Sequence, residues 1–300
     1  MMEQAIMDDR TPTITQAMID AYDEYTHLTL DRRGFMRKLT ALAGSATAAA
    51  AIAPLMAASS ARAAIVAPDD PRLAGVWATY PGASGEMKAY VARPADATDA
   101  LPSVLVIHEN RGLNAHIQDV ARRLALGGFL VVAPDFLSPA GGTPPDADKA
   151  REMIGALDTE ARIADAMASR TWLAGREDGN GRVGAVGFCW GGGLVNDLAV
   201  ADPDLAAGVA YYGRQPDADK VADIKAAVLL HYAGLDERIN AGIDAYRDAL
   251  EAAGTEHQVH VYAGVNHAFN NDTSQARYDE VAAGLAWDRT VDFLKAHLGS

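Results

Sequence analysis

The chain has 300 residues, of which 49% are hydrophobic and 22% charged, as expected for a globular protein with a sizeable core. Its formal net charge of -14 argues against a nucleic-acid partner, because binding to nucleic acid requires a basic surface. The single cysteine, Cys189, excludes an internal disulfide, a cysteine-rich zinc site and an iron–sulfur cluster.

Residues 1–63 differ in composition from the rest of the chain and resemble a twin-arginine export signal. Arg32 and Arg33 precede a weakly hydrophobic, alanine-rich run, and the tripeptide ARA at 61–63 suits a signal peptidase. Asp31 stands where such signals more often have Ser or Thr. One alternative is a basic patch before an alanine-rich soluble helix. Another is an uncleaved membrane anchor, for which Ala, Gly, Ser and Thr are poorly suited.

From this segment we predict that residues 1–63 are a signal peptide with its flank, cleaved or disordered, and that the protein is exported to the periplasm. Residues 64–300 then form a single domain. No stable membrane insertion is expected after cleavage.

Beyond residue 64, short apolar runs alternate with longer amphipathic stretches, which predicts strands that alternate with helices. The predicted strands are 87–93, 104–108, 129–133, 183–188, 208–212, 228–232 and 257–262. The predicted helices are 115–126, 147–173 with a potential break at Gly155, one that starts at Trp190, 240–253 and 276–298. This order predicts an α/β fold with a mostly parallel sheet and helices on both faces. Functional side chains of such sheets collect in loops at the carboxyl ends of the strands.

The strongest local motif is GFCWGG at 187–192, which follows a predicted strand and opens a helix. It matches the nucleophile elbow of α/β-hydrolases, with Cys189 in place of serine. Glycines are needed there because Cβ atoms would collide with neighbouring backbone. The helix start favours a thiolate, and the N–H of Trp190 is a natural oxyanion donor. The alternative is a glycine-rich turn around a buried cysteine.

Asp236 and His267 each follow a predicted strand, in the chain order that α/β-hydrolases use. His267 would accept the thiol proton and later protonate the leaving group, while Asp236 would fix its tautomer. Either residue alone could be a solvated loop residue, but the ordered set favours a triad with Cys189. His108 is either a satisfied core residue or part of the pocket wall. No metal-ligand spacing such as HExxH occurs, so we predict neither a metal nor another cofactor.

Over nearly all of 64–300, the chain resembles the dienelactone hydrolase (carboxymethylenebutenolidase) family of α/β-hydrolases. The resemblance rests on the cysteine elbow, on Asp236, and on the stretches HENRGLN at 108–114, APD at 133–135, YYG at 211–213, HAF at 267–269 and 277–287. It implies that Glu109 lies beside Cys189 and governs its resting protonation, and that the N–H of Asn110 is the second oxyanion donor. Glu109 could instead be a plain pocket wall or a salt-bridge partner of Arg111. The substrate pocket implied by the resemblance includes His108, Arg111, Tyr212, Phe269 and Arg277.

The chain departs from the family pattern at two arginines that bind the substrate carboxylate in bacterial members. The corresponding regions read FLS at 136–138 and NN at 270–271, with no arginine at either. Arg214 and Arg277 are the candidates to substitute, although their spacing does not indicate it. The predicted reaction is hydrolysis of a carboxylic ester or lactone through a Cys-His-Asp triad and a thioester acyl-enzyme, with a small molecule as the partner. The alternatives are a broader esterase or thioesterase, and a catalytically silent fold that binds a small ligand.

Overall fold

The computed structural model describes residues 13–27, 29–57 and 64–299. The chain divides into two compact units, the first formed by residues 1–59 with 273–277, the second by 60–272 with 278–300. The predicted cleavage motif at 61–63 lies outside the described residues. Processing of the first 63 residues therefore stays a prediction.

The first unit is helical over most of its described length. Its helices are α1 (Gln16–Thr26), α2 (Arg32–Ala43) and α3 (Ala46–Met56). Aromatic packing stabilises the unit, with the rings of Tyr25 and Phe35 stacked at 4.9 Å between centroids. Among the described helices, none is by itself long and apolar enough to cross a membrane. Together α2 and α3 meet the length and composition test, but they are bent by 113°.

The second unit is built on a sheet to which eight described strands contribute. The strands are β1 (Leu73–Pro81), β2 (Glu86–Pro94), β3 (Leu101–Ile107), β4 (Leu130–Asp135), β5 (Gly179–Phe188), β6 (Ala207–Tyr211), β7 (Ala227–Ala233) and β8 (His257–Tyr262). Their order in the sheet is β1-β2-β4-β3-β5-β6-β7-β8. Pairing is antiparallel for β1 with β2 and for β2 with β4, and parallel for the other neighbours. The predicted mostly parallel sheet is confirmed.

Helices cover both faces of this sheet, as predicted. They are α4 (Ala115–Leu126), α5 (Ala147–Gly155), α6 (Thr159–Ala174), α7 (Trp190–Ala201), α8 (Glu237–Asn240), α9 (Ile243–Ala253) and α10 (Glu280–Leu298). Buried side chains of α4 and α10 belong to the core on one face, and those of α6, α7 and α9 to the core on the other. The parallel strands β3, β5, β6, β7 and β8 therefore direct the loops that follow them to one edge of the sheet.

The potential break at Gly155 in the helix predicted over 147–173 is confirmed, because α5 ends at Gly155 and Asp158 caps a new helix, α6. Two other predicted helices differ in their limits from the observed ones. The helix predicted over 240–253 is preceded by the short α8, which Asp236 caps. The last helix begins at Glu280 rather than 276, because the side chain of Asp279 accepts a hydrogen bond from the N–H of Ala282 and forms the N-cap.

Candidate active site

The turn between β5 and α7 holds Cys189 in a conformation that side-chain-bearing residues rarely adopt. Its backbone has φ 55° and ψ -114°. A Cβ at Gly187 would overlap the backbone of Gly191, and a Cβ at Gly191 would overlap the carbonyl of Ile107. The predicted need for glycine at these positions is therefore confirmed. The elbow holds the half-buried Cys189 side chain at the end of a buried strand.

Backbone strain concentrates around this turn. In the part of the chain that the structure describes, the non-glycine residues with positive φ are Cys189 at 55°, Tyr212 at 40° and Ala268 at 65°. Each such residue costs about 1–3 kcal/mol, which the surrounding structure must offset. Tyr212 follows β6, and Ala268 directly follows His267. Because such conformations cluster at functional sites, this strain marks the predicted catalytic loops.

His267 and Asp236 form a buried hydrogen-bonded pair. The Nδ1–H of His267 donates to Oδ2 of Asp236 at 2.5 Å, while Oδ1 of Asp236 accepts from the backbone N–H of Ile239 at 3.2 Å. Because a carboxylate only accepts, the proton between the pair resides on Nδ1. A ring nitrogen of His267 and the Sγ of Cys189 lie within 4.8 Å of each other. The structure thus brings together the three side chains of the predicted triad.

Electrostatic interactions favour a protonated His267. Burial alone would lower its pKa, but the negative charge of a Cys189 thiolate and hydrogen bonds to Asp236 and Cys189 raise the pKa to about 10. Burial pushes the pKa of Asp236 upward, yet the hydrogen bond and positive charge of His267 hold that pKa below its ordinary value. At neutral pH, the arrangement therefore supports an imidazolium between a carboxylate and the cysteine sulfur.

One aromatic ring from the predicted pocket packs against the imidazole, and a second packs against the first. The ring of Tyr212 lies 4.8 Å from that of His267, and Phe269 packs edge-on against Tyr212 at 5.5 Å. Both aromatic side chains are fully buried. Their packing restricts the orientation of the imidazole.

His108 is a satisfied core residue, one of the two alternatives that the sequence leaves open. Its Nδ1–H donates to the carbonyl of Glu109 at 2.7 Å, and its Nε2 accepts from the N–H of Phe136 at 3.3 Å. Burial lowers its pKa, so the ring stays neutral and both nitrogens keep their backbone partners. The ring also stacks on Trp190 at 5.3 Å. His108 therefore joins the ends of β3 and β4 to the elbow helix.

Glu109 has a partner that the sequence did not indicate. The Nδ2 of Asn271 donates to its Oε2 at 2.7 Å, and both side chains are buried. Arg111, proposed as an alternative partner, lies 3.5 Å from Asp148. The one local signal for Asn271 is its position four residues after His267, in the same loop. Asn110, the predicted oxyanion donor, follows Glu109 in the loop after β3.

The two arginines that might replace those of the family are engaged by carboxylates. Arg214 makes a bidentate contact with Asp197 at 2.9 and 3.0 Å on the surface of the second unit. Arg277 belongs to the first unit, where its Nη1 lies 3.2 Å from Asp23 and its guanidinium lies over the ring of Tyr22. Its place in a substrate pocket stays a prediction.

Comparisons with known proteins identify the family of the chain. Residues 87–298 match the Dienelactone hydrolase family. A protein of Escherichia coli O157:H7 assigned as a carboxymethylenebutenolidase is 34% identical over 248 residues, which cover 77% of this chain and 90% of the relative. A crystal structure assigned as a dienelactone hydrolase, from Klebsiella pneumoniae, has a TM-score of 0.68 at 31% identity and covers 74% of this chain and 98% of its own. The dienelactone hydrolase-like promiscuous phosphotriesterase P91, from metagenomic libraries, shares the fold with a TM-score of 0.69 at 22% identity, over 76% of this chain and 100% of its own.

Proposed function

We propose that Cys189 is the nucleophile of this chain and that the reaction passes through a thioester intermediate. The premise is that the chain belongs to the dienelactone hydrolase family and is a hydrolase of esters or lactones. The observation that supports this most is the environment of His267. One ring nitrogen donates to Asp236, and a ring nitrogen of the imidazole lies within 4.8 Å of the Cys189 sulfur. This is the arrangement that an activated nucleophile requires.

The proposed reaction has two halves. His267 takes the proton of the Cys189 thiol, the sulfur attacks the carbonyl carbon of the ester, and the carbonyl π electrons move to oxygen. When this oxyanion collapses, the carbon–oxygen bond to the leaving alcohol breaks, and His267 gives its proton to the departing oxygen. Water then attacks the thioester, with His267 taking the water proton, and the acid is released as the carbon–sulfur bond breaks. Asp236 holds the imidazole in one tautomer throughout.

Two backbone N–H groups are proposed to stabilise the oxyanion. Trp190 is the first residue of α7, so its N–H has no acceptor within the helix and the positive end of the helix dipole lies nearby. Asn110 supplies the second N–H from the loop after β3. That loop lies against the elbow, because the carbonyls of Ile107 and His108 are the nearest neighbours of Gly191. Removing one such donor typically reduces kcat by about 10²–10³-fold.

Glu109 is proposed to control the resting state of the nucleophile. The negative charge of a carboxylate near Cys189 would disfavour a second negative charge on the sulfur, so Cys189 would stay a less reactive thiol until substrate enters. The hydrogen bond from Asn271 gives the carboxylate a partner of its own. This bond supports a role in which Glu109 alternates between Asn271 and the sulfur.

The acyl or lactone substrate is proposed to be uncharged. Arg111 and Arg214 are paired with Asp148 and Asp197, and Asn271 stands in the region where family members have an arginine. We expect kcat/KM for cis-dienelactone, which has a carboxylate, to be about 10- to 100-fold below that for its methyl ester, because removing a carboxylate from water without a partner costs about 1–3 kcal/mol. The methyl ester keeps the same lactone ring, so initial rates with the two substrates isolate the effect of charge. Faster turnover of the free carboxylate would contradict an uncharged substrate.

We further propose export through the twin-arginine route, supported by Arg32 and Arg33, which lie exposed in the first turn of α2. The change of both to lysine should retain the precursor in the cytoplasm, because the export receptor reads the arginine pair. Cell fractionation and N-terminal sequencing measure this, with a wild-type periplasmic form that starts near Ala64. The matched control exchanges Arg37 and Lys38 for each other and should be exported. Equal distribution of the wild type and the lysine variant would contradict the proposal.

A further inference from the structure

A buried polar network in the second unit lies at the ends of three strands that lead into the catalytic loops. Its members are Tyr211 of β6, His231 of β7, Tyr262 of β8, and Arg289 and Thr290 of α10. The Oγ1 of Thr290 lies 2.7 Å from Oη of Tyr211 and 3.1 Å from Nε2 of His231. The Nδ1 of His231 lies 3.0 Å from Oη of Tyr262, which accepts from Arg289 at 3.0 Å. We call these residues the Thr290 network.

The hydrogen bonds of the network admit a single placement of protons. Thr290 donates its one proton to the carbonyl of Ala286 at 2.9 Å, so its oxygen accepts from both Tyr211 and Nε2–H of His231. The Nδ1 of a neutral His231 must then accept from Tyr262. Burial, together with the nearby His260 and Arg289, holds the pKa of His231 well below its ordinary value. The neutral ring keeps this single arrangement at physiological pH.

The same three strand residues hold the catalytic loops through their backbone carbonyls. The carbonyl of Tyr211 accepts from the N–H of Cys189 at 3.0 Å. The carbonyl of His231 accepts from the N–H of Tyr212 at 2.6 Å, and that of Tyr262 from the N–H of Gly234 at 2.8 Å. Gly234 precedes Asp236 by two residues, and the ring of Tyr212 packs on His267. The side chain of each of these three strand residues is thus held by hydrogen bonds within the network. Its backbone carbonyl holds a loop that carries, or packs against, a proposed catalytic residue.

We infer that the Thr290 network is a positioning device, which sets the distance between the sulfur of Cys189 and the imidazole of His267 by fixing the relative positions of β6, β7 and β8. The inference rests on the proposed function, because it assigns these residues to the geometry of that triad. Thr290 touches none of the reacting atoms. It acts through the strand ends, and its hydroxyl is the junction because it accepts from two strands and donates to α10.

A buried hydroxyl elsewhere provides a matched control. Ser169 of α6 accepts from Oη of Tyr80 at 2.8 Å and donates to the carbonyl of Asp165, four residues earlier, at 2.7 Å. Thr290 likewise accepts from a tyrosine and donates to the carbonyl four residues earlier. Both hydroxyls are fully buried, but α6 packs on the face of the sheet opposite to α10, and the two partners of Ser169 named above, Tyr80 and Asp165, lie outside the loops after β5, β6, β7 and β8. Comparing variants at Thr290 and Ser169 therefore distinguishes the loss of folding stability from the loss of correct placement of the catalytic loops.

The test compares Thr290→Val with Ser169→Ala by kcat and KM for p-nitrophenyl acetate, the rate of Cys189 alkylation by iodoacetamide at neutral pH, and Tm. Both changes should lower Tm. Thr290→Val should also lower kcat and the alkylation rate by about 10- to 100-fold with KM nearly unchanged, since a misplacement of about 1 Å costs up to about 10²-fold. Ser169→Ala should leave both rates near those of the wild type. Thr290→Ser, which keeps the hydroxyl, should restore them.

The proposal is overturned if Thr290→Val lowers Tm but keeps kcat and the alkylation rate at the level of Ser169→Ala. If Thr290→Val does not fold, Tyr211→Phe removes only one bond of the network, and unchanged rates in that variant overturn the proposal equally. Alkylation of Cys189 needs no ester substrate. A wild type that is alkylated rapidly but hydrolyses no ester would contradict the proposed function and leave the alkylation comparison to decide the role of Thr290.

Discussion

Cys189→Ala should lower kcat for p-nitrophenyl acetate by about 10⁴-fold or more, with Tm and circular dichroism close to those of the wild type. The sulfur is the atom that forms the thioester, so no other group can replace it in the first half-reaction. The fold should persist, because the elbow glycines that pack against neighbouring backbone are unchanged and alanine is smaller than cysteine.

The same variant distinguishes hydrolysis at the triad from hydrolysis at another surface nucleophile. Residual activity within tenfold of the wild type would mean that another group performs the reaction. Wild-type enzyme blocked by iodoacetamide serves as the chemical counterpart. Because the chain has a single cysteine, alkylation modifies no second thiol, and its loss of activity should equal that of Cys189→Ala.

Asp236→Asn should lower kcat by about 10⁴-fold, because an amide can donate to Nδ1 of His267 and leave the ring in the wrong tautomer. The same change removes a negative charge and a hydrogen bond that raise the pKa of His267. Titration of the imidazole by NMR should give a midpoint near pH 10 in the wild type and a lower midpoint in the variant. The midpoint falls because the Asp236 carboxylate stabilises the protonated form of His267, so the imidazolium loses its proton more readily when that carboxylate is replaced by an amide.

Two controls accompany this prediction. His108, whose ring nitrogens both have backbone partners, should stay neutral in both proteins. Asp158→Asn changes another N-cap carboxylate, which accepts from the N–H of Ala161 at 2.9 Å, and should leave kcat unchanged. An unmoved midpoint for His267 in Asp236→Asn would show that the carboxylate does not stabilise the imidazolium.

The proximity of Cys189, Asp236 and His267 could be predicted because each residue lies in a recognisable local sequence pattern. Cys189 lies in a glycine-rich turn after a buried strand, and Asp236 and His267 each follow a strand of their own. In a parallel sheet the carboxyl ends of strands meet at one edge, so chain order alone implies proximity. The edge strand β1 was missed because its mostly apolar sequence, LAGVWATYP, lacks the alternation of apolar and polar residues that marks a strand with one exposed face.

Partners of buried polar groups were not predictable in the same way. Asn271 and Glu109 are 162 residues apart, and Tyr211 and Thr290 are 79 apart. Nothing in either local sequence identifies the other member of such a pair. The role of His108 was unpredictable for the same reason, because it depends on the backbone groups that form hydrogen bonds with its two ring nitrogens. The strained φ of Tyr212 likewise follows from its position between β6 and the imidazole, not from its residue type.

The most direct test of the account is to stop the reaction of wild-type protein with p-nitrophenyl acetate in acid during the first turnover and to map the bound acetyl group by peptide mass spectrometry. The account predicts one acetyl group on the peptide that contains Cys189, labile to hydroxylamine as a thioester, and none in Cys189→Ala. Turnover without acetylation of Cys189 would contradict the account. So would an acetyl group on a different residue, if that group is lost at the rate of hydrolysis.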